Sequence, residues 1–264
     1  MTAAFSRDTC CLMCRSSFSL FSLTRNTYQA PRVRCRWIVA WATIMHLQAD
    51  SPSLAKEGLV EEQVTFSAGE IELEGLFATS AQSPTIGAVV CHPHPLYGGE
   101  MHNNVVSALV AAFQQQGIAT LRFNFRGVGR SGGSHGEGVA ELEDVKAAVT
   151  YLLSRQAVQT VVVAGYSFGS MVGLQAGAAD PRVHKIIGVA FPVGLRDPSF
   201  LLPVTKPKLL ISGDHDNYSP IPDLQSLVAK LPDPKQLVVV KGADHFFWGQ
   251  EGEVAKAAVE FLQK

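Results

Sequence analysis

The sequence predicts one α/β domain built on a mostly parallel sheet of eight strands, with helices on both faces. Short apolar segments alternate with longer helical segments from about residue 60 onward, which is typical of strand–helix–strand units. The chain has 264 residues, of which 47 % are hydrophobic, and this is enough to bury one large core. A Gly-x-Ser-x-Gly motif lies at a predicted strand-to-helix junction, at residues 165–169.

The predicted elements follow in chain order. Apolar and polar residues alternate between Val64 and Leu76, and this alternation predicts an antiparallel pair of strands at one edge of the sheet. Further strands are predicted over residues 86–91, 118–125, 160–164, 185–191, 208–212 and 236–240. Helices are predicted over residues 103–116, 137–155, 168–179, 220–230 and 254–262.

Charge and hydropathy exclude several classes of protein. The formal net charge is −1, which is too balanced for a protein whose main partner is nucleic acid. The high apolar content argues against a disordered chain, and no apolar run reaches the roughly 18 residues needed to cross a bilayer. We therefore expect a globular domain with no integral membrane segment and no nucleic-acid partner.

Residues 1–59 differ in composition from residues 60–264, which are the predicted folded domain. Residues 1–49 contain six arginines and one acidic residue, so they carry a charge of +5 and the remainder carries −6. Many Ser, Thr and Arg residues with few acids are typical of an organelle transit peptide. The sequence before Arg36 resembles a chloroplast processing site, which predicts a chloroplast protein. The alternatives are a disordered arm on a cytoplasmic protein, or a true start at Met45.

The cysteines add one constraint. Four of the five lie in the N-terminal segment, at positions 10, 11, 14 and 35, without the second pair that a zinc finger requires. Only Cys91 remains in the predicted domain, so disulfide bonds cannot stabilise it.

The Gly165-Tyr166-Ser167-Phe168-Gly169 motif carries the predicted chemistry. Where a strand turns sharply into a helix, the serine backbone is strained and neighbouring Cβ atoms would collide, so glycines are needed on both sides. The turn presents Ser167 Oγ above the sheet at a helix N-terminus. Ser167 is therefore the predicted nucleophile, and the N–H of Phe168 is a predicted donor to an oxyanion.

A serine nucleophile needs a base, and the base needs an acid that orients it; both are expected after later strands. His245 is the last histidine of the chain and follows the last predicted strand, so it is the predicted base. Asp214 and Asp216 both follow the strand at 208–212. Asp216 is preferred because residues 213–220 resemble the Gly-x-x-Asp-x-x-x-Pro pattern usual after this strand, and Asp214 stays open as the alternative.

The second oxyanion donor is expected in the loop after the strand at 86–91. Pro93 and Pro95 have no N–H, so the N–H of His94 between them is the predicted donor. A metal site that uses His92 and His94 is the alternative, and a proline-locked loop without a neighbouring carboxylate argues against it. No metal and no cofactor are predicted.

Residues 127–132 match the Gly-x-Gly-x-x-Gly pattern of a dinucleotide-binding turn. Further glycines follow the third glycine where a helix should begin, and position 152, where an acid is expected, is Leu. The segment is therefore predicted as a turn, held by a structural pair between Arg126 and Asp144.

Three segments together resemble a group of compact, bacterial-type α/β-hydrolases: HPHPLYGG at residues 92–99, LRFNFRGVG at 121–129 and GYSFG at 165–169. The resemblance covers about residues 60–264, and the first two segments are specific to this group. It implies the α/β-hydrolase fold with Ser167, Asp216 and His245 at the triad positions. Members of the group carry dienelactone hydrolase, esterase and serine-peptidase-like names.

The chain between the predicted strands at 185–191 and 208–212 has only some sixteen residues, too few for the lid domain that many α/β-hydrolases insert there. An open site favours small or soluble acyl substrates, with Tyr97, Phe168, Phe246, Phe247 and Trp248 as candidate walls. The leading hypothesis is a serine hydrolase of carboxylic esters or thioesters. A serine peptidase of the same fold and a non-catalytic binding protein are the alternatives.

Overall fold

The structure is a computed structural model that describes residues 61–79, 85–155 and 157–264. The predicted transit-like segment, including the cleavage site at Arg36 and the alternative start at Met45, lies outside the described residues. The division of the chain at residue 60 and the chloroplast location therefore stay predictions. No helix among the described residues is both long enough and apolar enough to cross a membrane.

The described residues form an eight-stranded sheet in the order β1-β2-β4-β3-β5-β6-β7-β8. Strand β1 pairs antiparallel with β2, and β2 with β4, while all the other pairs are parallel. This confirms the predicted mostly parallel sheet with an antiparallel edge. The strands are β1 Glu62–Ala68, β2 Ile71–Ala78, β3 Ile86–Cys91, β4 Ala119–Phe123, β5 Thr160–Tyr166, β6 Val183–Val189, β7 Lys208–Gly213 and β8 Lys235–Val240.

Helices cover both faces of the sheet, as predicted. They are α1 Asn104–Gln115, α2 Glu141–Ser154, α3 Phe168–Ala179, α4 Ile221–Lys230 and α5 Glu251–Leu262. Helices α1 and α5 enclose one hydrophobic core, and α2, α3 and α4 enclose the other. Strand β5 contributes to both cores, because Val161 and Val163 face one and Val162 and Ala164 face the other. A central strand of this kind is apolar throughout because its side chains are buried on both faces.

Strand β4 ends at Phe123, two residues before the predicted end. The N–H of Asn124 donates to the carbonyl oxygen of Glu74, and the N–H of Phe125 donates to His92 Nε2 at 3.0 Å. The apolar run therefore continues past the strand, but its backbone bonds go to other partners.

Helix α2 begins at Glu141, four residues after the predicted start. Glu137 has φ = +55° and Gly138 has φ = +85°, so the chain is not yet helical there. The Glu141 carboxylate accepts hydrogen bonds from the N–H groups of Gly136 and Gly138 at 2.7 and 2.8 Å. The buried carboxylate satisfies two loop donors and fixes the point where the helix starts.

Strands β6 and β7 are joined without a lid. Between them lies one short 3₁₀ helix, Ser199–Leu201, in an otherwise irregular segment. Because this connection adds no covering element, the loops that follow β3, β5, β7 and β8 are open to solvent on this side within the described part of the chain.

Candidate active site

The turn between β5 and α3 has the strained geometry expected of a nucleophile turn. Ser167 has φ = +53° and ψ = −117°, a combination that side-chain-bearing residues rarely adopt. A Cβ at Gly165 would overlap the carbonyl oxygen of Gly169. A Cβ at Gly169 would overlap the carbonyl oxygens of Cys91, the last residue of β3, and of His92, which follows it. Glycine is therefore required at both positions for the turn to close.

The structure brings the three predicted triad residues together from the ends of β5, β7 and β8. Ser167 Oγ lies 2.9 Å from His245 Nε2, and His245 Nδ1 lies 2.8 Å from Asp216 Oδ2. The side chain of His245 is 11 % exposed and that of Asp216 is fully buried. The other oxygen of Asp216 accepts the N–H groups of Tyr218 and Ser219 at 2.8 and 3.0 Å. These bonds fix the carboxylate against rotation.

Asp214, the alternative acid, points elsewhere. Its Oδ1 accepts the N–H of Gly242 at 2.6 Å, which ties the loop after β7 to the loop after β8. A Cβ at Gly213 would overlap the carbonyl oxygen of Ala243, so the two loops also touch through their backbones. Asp244 accepts the N–H of Phe246 at 2.9 Å in a local turn. Of these three aspartates, Asp216 is the one whose carboxylate contacts His245.

Tyr166 is a site residue that the sequence analysis did not identify. Its hydroxyl donates to the carbonyl oxygen of His245 at 2.7 Å, and its ring is 5.7 Å from the imidazole. Burial raises the pKa of Tyr166, and the negative charges of Asp216 and Asp244 raise it further, so the hydroxyl stays protonated and donates. The residue before the nucleophile thereby holds the backbone of the predicted base.

The two predicted oxyanion donors lie on loops that pack against each other. The imidazole of His94 is 4.9 Å from the ring of Phe168, measured between ring centroids. The carbonyl oxygen of His94 accepts the N–H groups of Tyr97 and Gly99 at 3.1 and 3.0 Å, which curls the loop. Among the described residues, neither the N–H of His94 nor that of Phe168 has an acceptor. Both backbone donors are therefore available for a bound group.

Known proteins resemble this chain closely. A family model described as serine aminopeptidase, S33, matches residues 87–206. The structure of an alpha-beta serine hydrolase homologue from Coxiella burnetii has 33 % identity and a TM-score of 0.70, over 75 % of this chain and 96 % of that chain. A Xanthomonas campestris structure, described as an a/b serine hydrolase without lid, has 30 % identity and a TM-score of 0.70, over 77 % and 94 %.

An uncharacterized protein of Rickettsia prowazekii is 33 % identical over 209 residues, which is 76 % of this chain and 88 % of the relative. The chain belongs to the α/β-hydrolase family. The family agrees with the resemblance that the sequence motifs carry, and the lidless Xanthomonas structure agrees with the short connection between β6 and β7.

His92 is a structural residue of this hydrolase. It is fully buried, and its Nε2 accepts the N–H of Phe125, so Nδ1 carries the proton and donates to the carbonyl oxygen of Pro93 at 2.7 Å. Burial lowers the pKa of His92 to about 4. Both ring nitrogens are thus engaged, and the bond from Phe125 joins the end of β3 to the end of β4. No group of three His, Cys, Asp or Glu residues is arranged for a metal ion in the described part of the chain.

His92 should make the hydrolase sensitive to acid. We expect the free energy of unfolding to fall by about 3 kcal/mol between pH 6.5 and pH 4 because of this residue. In this range the unfolded chain binds a proton at His92 and the folded chain does not, so lowering the pH favours the unfolded state. His92→Gln keeps an acceptor and a donor but does not titrate. Urea unfolding at several pH values should show a flatter profile for the variant; identical profiles would contradict the prediction.

The aromatic residues predicted as pocket walls fall into three groups. Phe168 is buried, with its ring against His94, and forms a floor to the site. Phe247 is fully buried in the core beneath Tyr166 and does not line the opening. Tyr97 and Phe246 are exposed by 86 % and 51 %, with their rings 4.9 Å from His94 and 5.7 Å from His245, and Trp248 is exposed by 73 % without a contact to a site residue among the described ones. The opening of the hydrolase therefore has an aromatic rim.

The glycine-rich segment is a turn, as predicted. Gly127 and Gly129 have φ values of +75° and +56°. Arg126 Nη2 lies 2.6 Å from Asp144 Oδ1, and the N–H of Arg126 donates to the same carboxylate at 3.0 Å. Asp144 is fully buried, so this pair fixes the turn against α2.

Proposed function

We propose that this chain is a serine hydrolase that cleaves small carboxylic esters or thioesters through an acyl-enzyme. The observation that carries the proposal is the chain of contacts from Ser167 Oγ through His245 to Asp216, at 2.9 and 2.8 Å, with the nucleophile on a strained turn. Structural side chains need no such alignment of hydroxyl, imidazole and carboxylate beside two unused backbone donors.

In the first half of the proposed reaction, Ser167 Oγ attacks the acyl carbonyl carbon. His245 Nε2 takes the hydroxyl proton, and the resulting imidazolium is stabilised by the Asp216 carboxylate at Nδ1. The N–H groups of His94 and Phe168 donate to the oxyanion. The tetrahedral intermediate collapses when His245 gives its proton to the leaving alcohol or thiol, which leaves an acyl group on Ser167.

In the second half, water attacks the acyl-enzyme. His245 takes a proton from the water and returns it to Ser167 as the carboxylic acid departs. Every step uses side chains and backbone groups of this chain, so the proposal requires no cofactor or metal. The connection between β6 and β7 contributes no lid, and an open site of this kind favours small or soluble substrates over bulk lipid.

A serine aminopeptidase is the second candidate, because the family model that matches residues 87–206 carries that description. Such an enzyme must bind the free α-amino group of its substrate. A cavity of about 560 Å³ lies beside the loop of His94, and Glu100 among its lining residues offers a carboxylate. A binding protein of this fold is the third candidate.

A substrate panel separates the three candidates. We expect the purified protein to hydrolyse p-nitrophenyl esters and thioesters of two to eight carbons, with no turnover of aminoacyl-naphthylamides. We also expect a fluorophosphonate probe to label one site, found by mass spectrometry in the peptide that contains Ser167. Turnover of aminoacyl-naphthylamides without ester hydrolysis would replace the proposal by the peptidase. Folded protein that neither labels nor turns over any substrate would favour the binding protein.

A further inference from the structure

Arg196 is unlike the other arginines in the described part of the chain. Each of the others forms an ion pair with a carboxylate: Arg122, Arg126, Arg130, Arg155 and Arg182. Arg196 forms none, and its Nη2 donates to the carbonyl oxygen of Glu137. Among the described residues, Arg196 is thus the arginine whose guanidinium has no carboxylate partner, and an arginine of this kind can bind a carboxylate with two parallel N–H donors.

Two acidic residues near Arg196 are engaged elsewhere, and a third, Glu137, contacts it through the backbone carbonyl oxygen and forms no ion pair with it. Asp197, its neighbour in sequence, accepts the N–H and the hydroxyl of Ser199 at 2.9 and 2.7 Å. Glu141 accepts two backbone N–H groups and lies 2.9 Å from His135 Nδ1. The positive charge of Arg196 is therefore not neutralised by either carboxylate.

Arg196 stands on the side of the site that holds the oxyanion donors. Its Nη2 and the ring edge of Phe168 both lie 3.4 Å from the position that a Cβ of Gly138 would occupy. Burial lowers the pKa of His94, and the positive charge of Arg196 also lowers it, while the negative charge of Glu141 raises it. The guanidinium is thus close enough to His94 to influence its charge.

The two halves of an ester would occupy opposite sides of Ser167. The leaving group must receive a proton from His245, so it lies beside that imidazole, where the rings of Tyr218 and Phe246 approach to 4.8 and 5.7 Å. The acyl chain extends from the same carbonyl carbon away from His245. An acyl chain that leaves the carbonyl carbon on the side of Phe168 would approach Arg196, because the ring edge of Phe168 and Arg196 Nη2 both lie 3.4 Å from the same point.

From this placement we infer that Arg196 binds a carboxylate carried on the acyl part of the substrate. The inference rests on the proposed function and narrows it to esters or thioesters of dicarboxylic acids. A guanidinium presents two parallel N–H donors that match a carboxylate, and its charge survives at any pH at which the enzyme acts. The same positive charge disfavours the free α-amino group of an aminopeptidase substrate, because like charges repel.

The test compares two esters of equal acyl length. Mono-p-nitrophenyl adipate carries a carboxylate at the end of the acyl chain, and p-nitrophenyl hexanoate carries a methyl group there. We expect the ratio of their kcat/KM values, adipate over hexanoate, to fall about tenfold in Arg196→Gln. Lys241→Gln is the matched control, because it removes one positive charge from an exposed residue after β8 and should keep the wild-type ratio. Raised salt should lower the ratio in the wild type and less in Arg196→Gln.

A third ester tests whether Arg196 binds a carboxylate on the acyl part of the substrate or on the leaving group. The hexanoate ester of para-hydroxybenzoate carries its carboxylate on the leaving group. We expect Arg196→Gln to leave unchanged the ratio of kcat/KM for this ester to kcat/KM for p-nitrophenyl hexanoate. If the adipate-to-hexanoate ratio of kcat/KM were the same in wild type and Arg196→Gln, the inference would be wrong. It would also be wrong if Arg196→Gln lowered kcat/KM only for the para-hydroxybenzoate ester. In either case ester hydrolysis through Ser167 would leave the proposed function standing. Absence of both ester hydrolysis and fluorophosphonate labelling would overturn the proposed function and this inference with it.

Discussion

Ser167→Ala is expected to lower kcat for p-nitrophenyl butyrate by about a million-fold and to abolish fluorophosphonate labelling. The substitution removes only Oγ, the atom that lies 2.9 Å from His245 Nε2, and leaves His245 and Asp216 in contact. Without the nucleophile the imidazole has no proton to take, and no acyl-enzyme can form. Some rate above the uncatalysed reaction should remain, because the N–H groups of His94 and Phe168 still polarise a bound carbonyl.

Steady-state kinetics and gel fluorescence of the labelled protein measure this effect. The control is Ser134→Ala, which removes an exposed hydroxyl from the loop between β4 and α2. We expect Ser134→Ala to react with the fluorophosphonate probe and to hydrolyse p-nitrophenyl butyrate at the wild-type rates. Labelling of Ser167→Ala at the wild-type level would place the nucleophile at another residue and contradict the proposed mechanism.

Much of the fold was predictable because its determinants are local. The apolar run of β5 and the alternation in β1 and β2 give the strand types directly, since one is buried on both faces and the others form an edge. The motif around Ser167 was recognisable because strand, sharp turn and helix are consecutive in sequence. The C-terminal ends of parallel strands share one edge of a sheet, so residues that follow β5, β7 and β8 were expected to meet.

The contacts that were missed join residues far apart in the chain. Tyr166 reaches the carbonyl oxygen of His245 across 79 positions, and His92 reaches the N–H of Phe125 across 33. Nothing in a local pattern reports such pairs. The late start of α2 has a different origin, because there the Glu141 carboxylate turns back to N–H groups of the adjacent loop, which sequence periodicity treats as helical. Boundaries are therefore set by individual hydrogen bonds, and element types by periodicity.

The choice between Asp216 and Asp214 is the sharpest question that the sequence left open, and kinetics can answer it. We expect Asp216→Asn to lower kcat by about 10⁴-fold at neutral pH. An amide at this position presents no negative charge to the imidazolium that forms during attack by Ser167. It also allows the imidazole to adopt the tautomer in which Nε2 already carries a proton and cannot take another. The buried Asp216 site, where Oδ1 already accepts two N–H groups, favours a carboxylate over an amide.

Asp214→Asn is the matched control, since it makes the same chemical change two residues away. The amide oxygen can still accept the N–H of Gly242, so we expect kcat to change by less than about threefold and the loop to keep its place. Fluorophosphonate labelling rates of both variants provide a second measurement that does not depend on substrate choice. If Asp214→Asn produced the large loss and Asp216→Asn the small one, the acid would be Asp214, which would require the loop after β7 to rearrange by two residues when substrate binds.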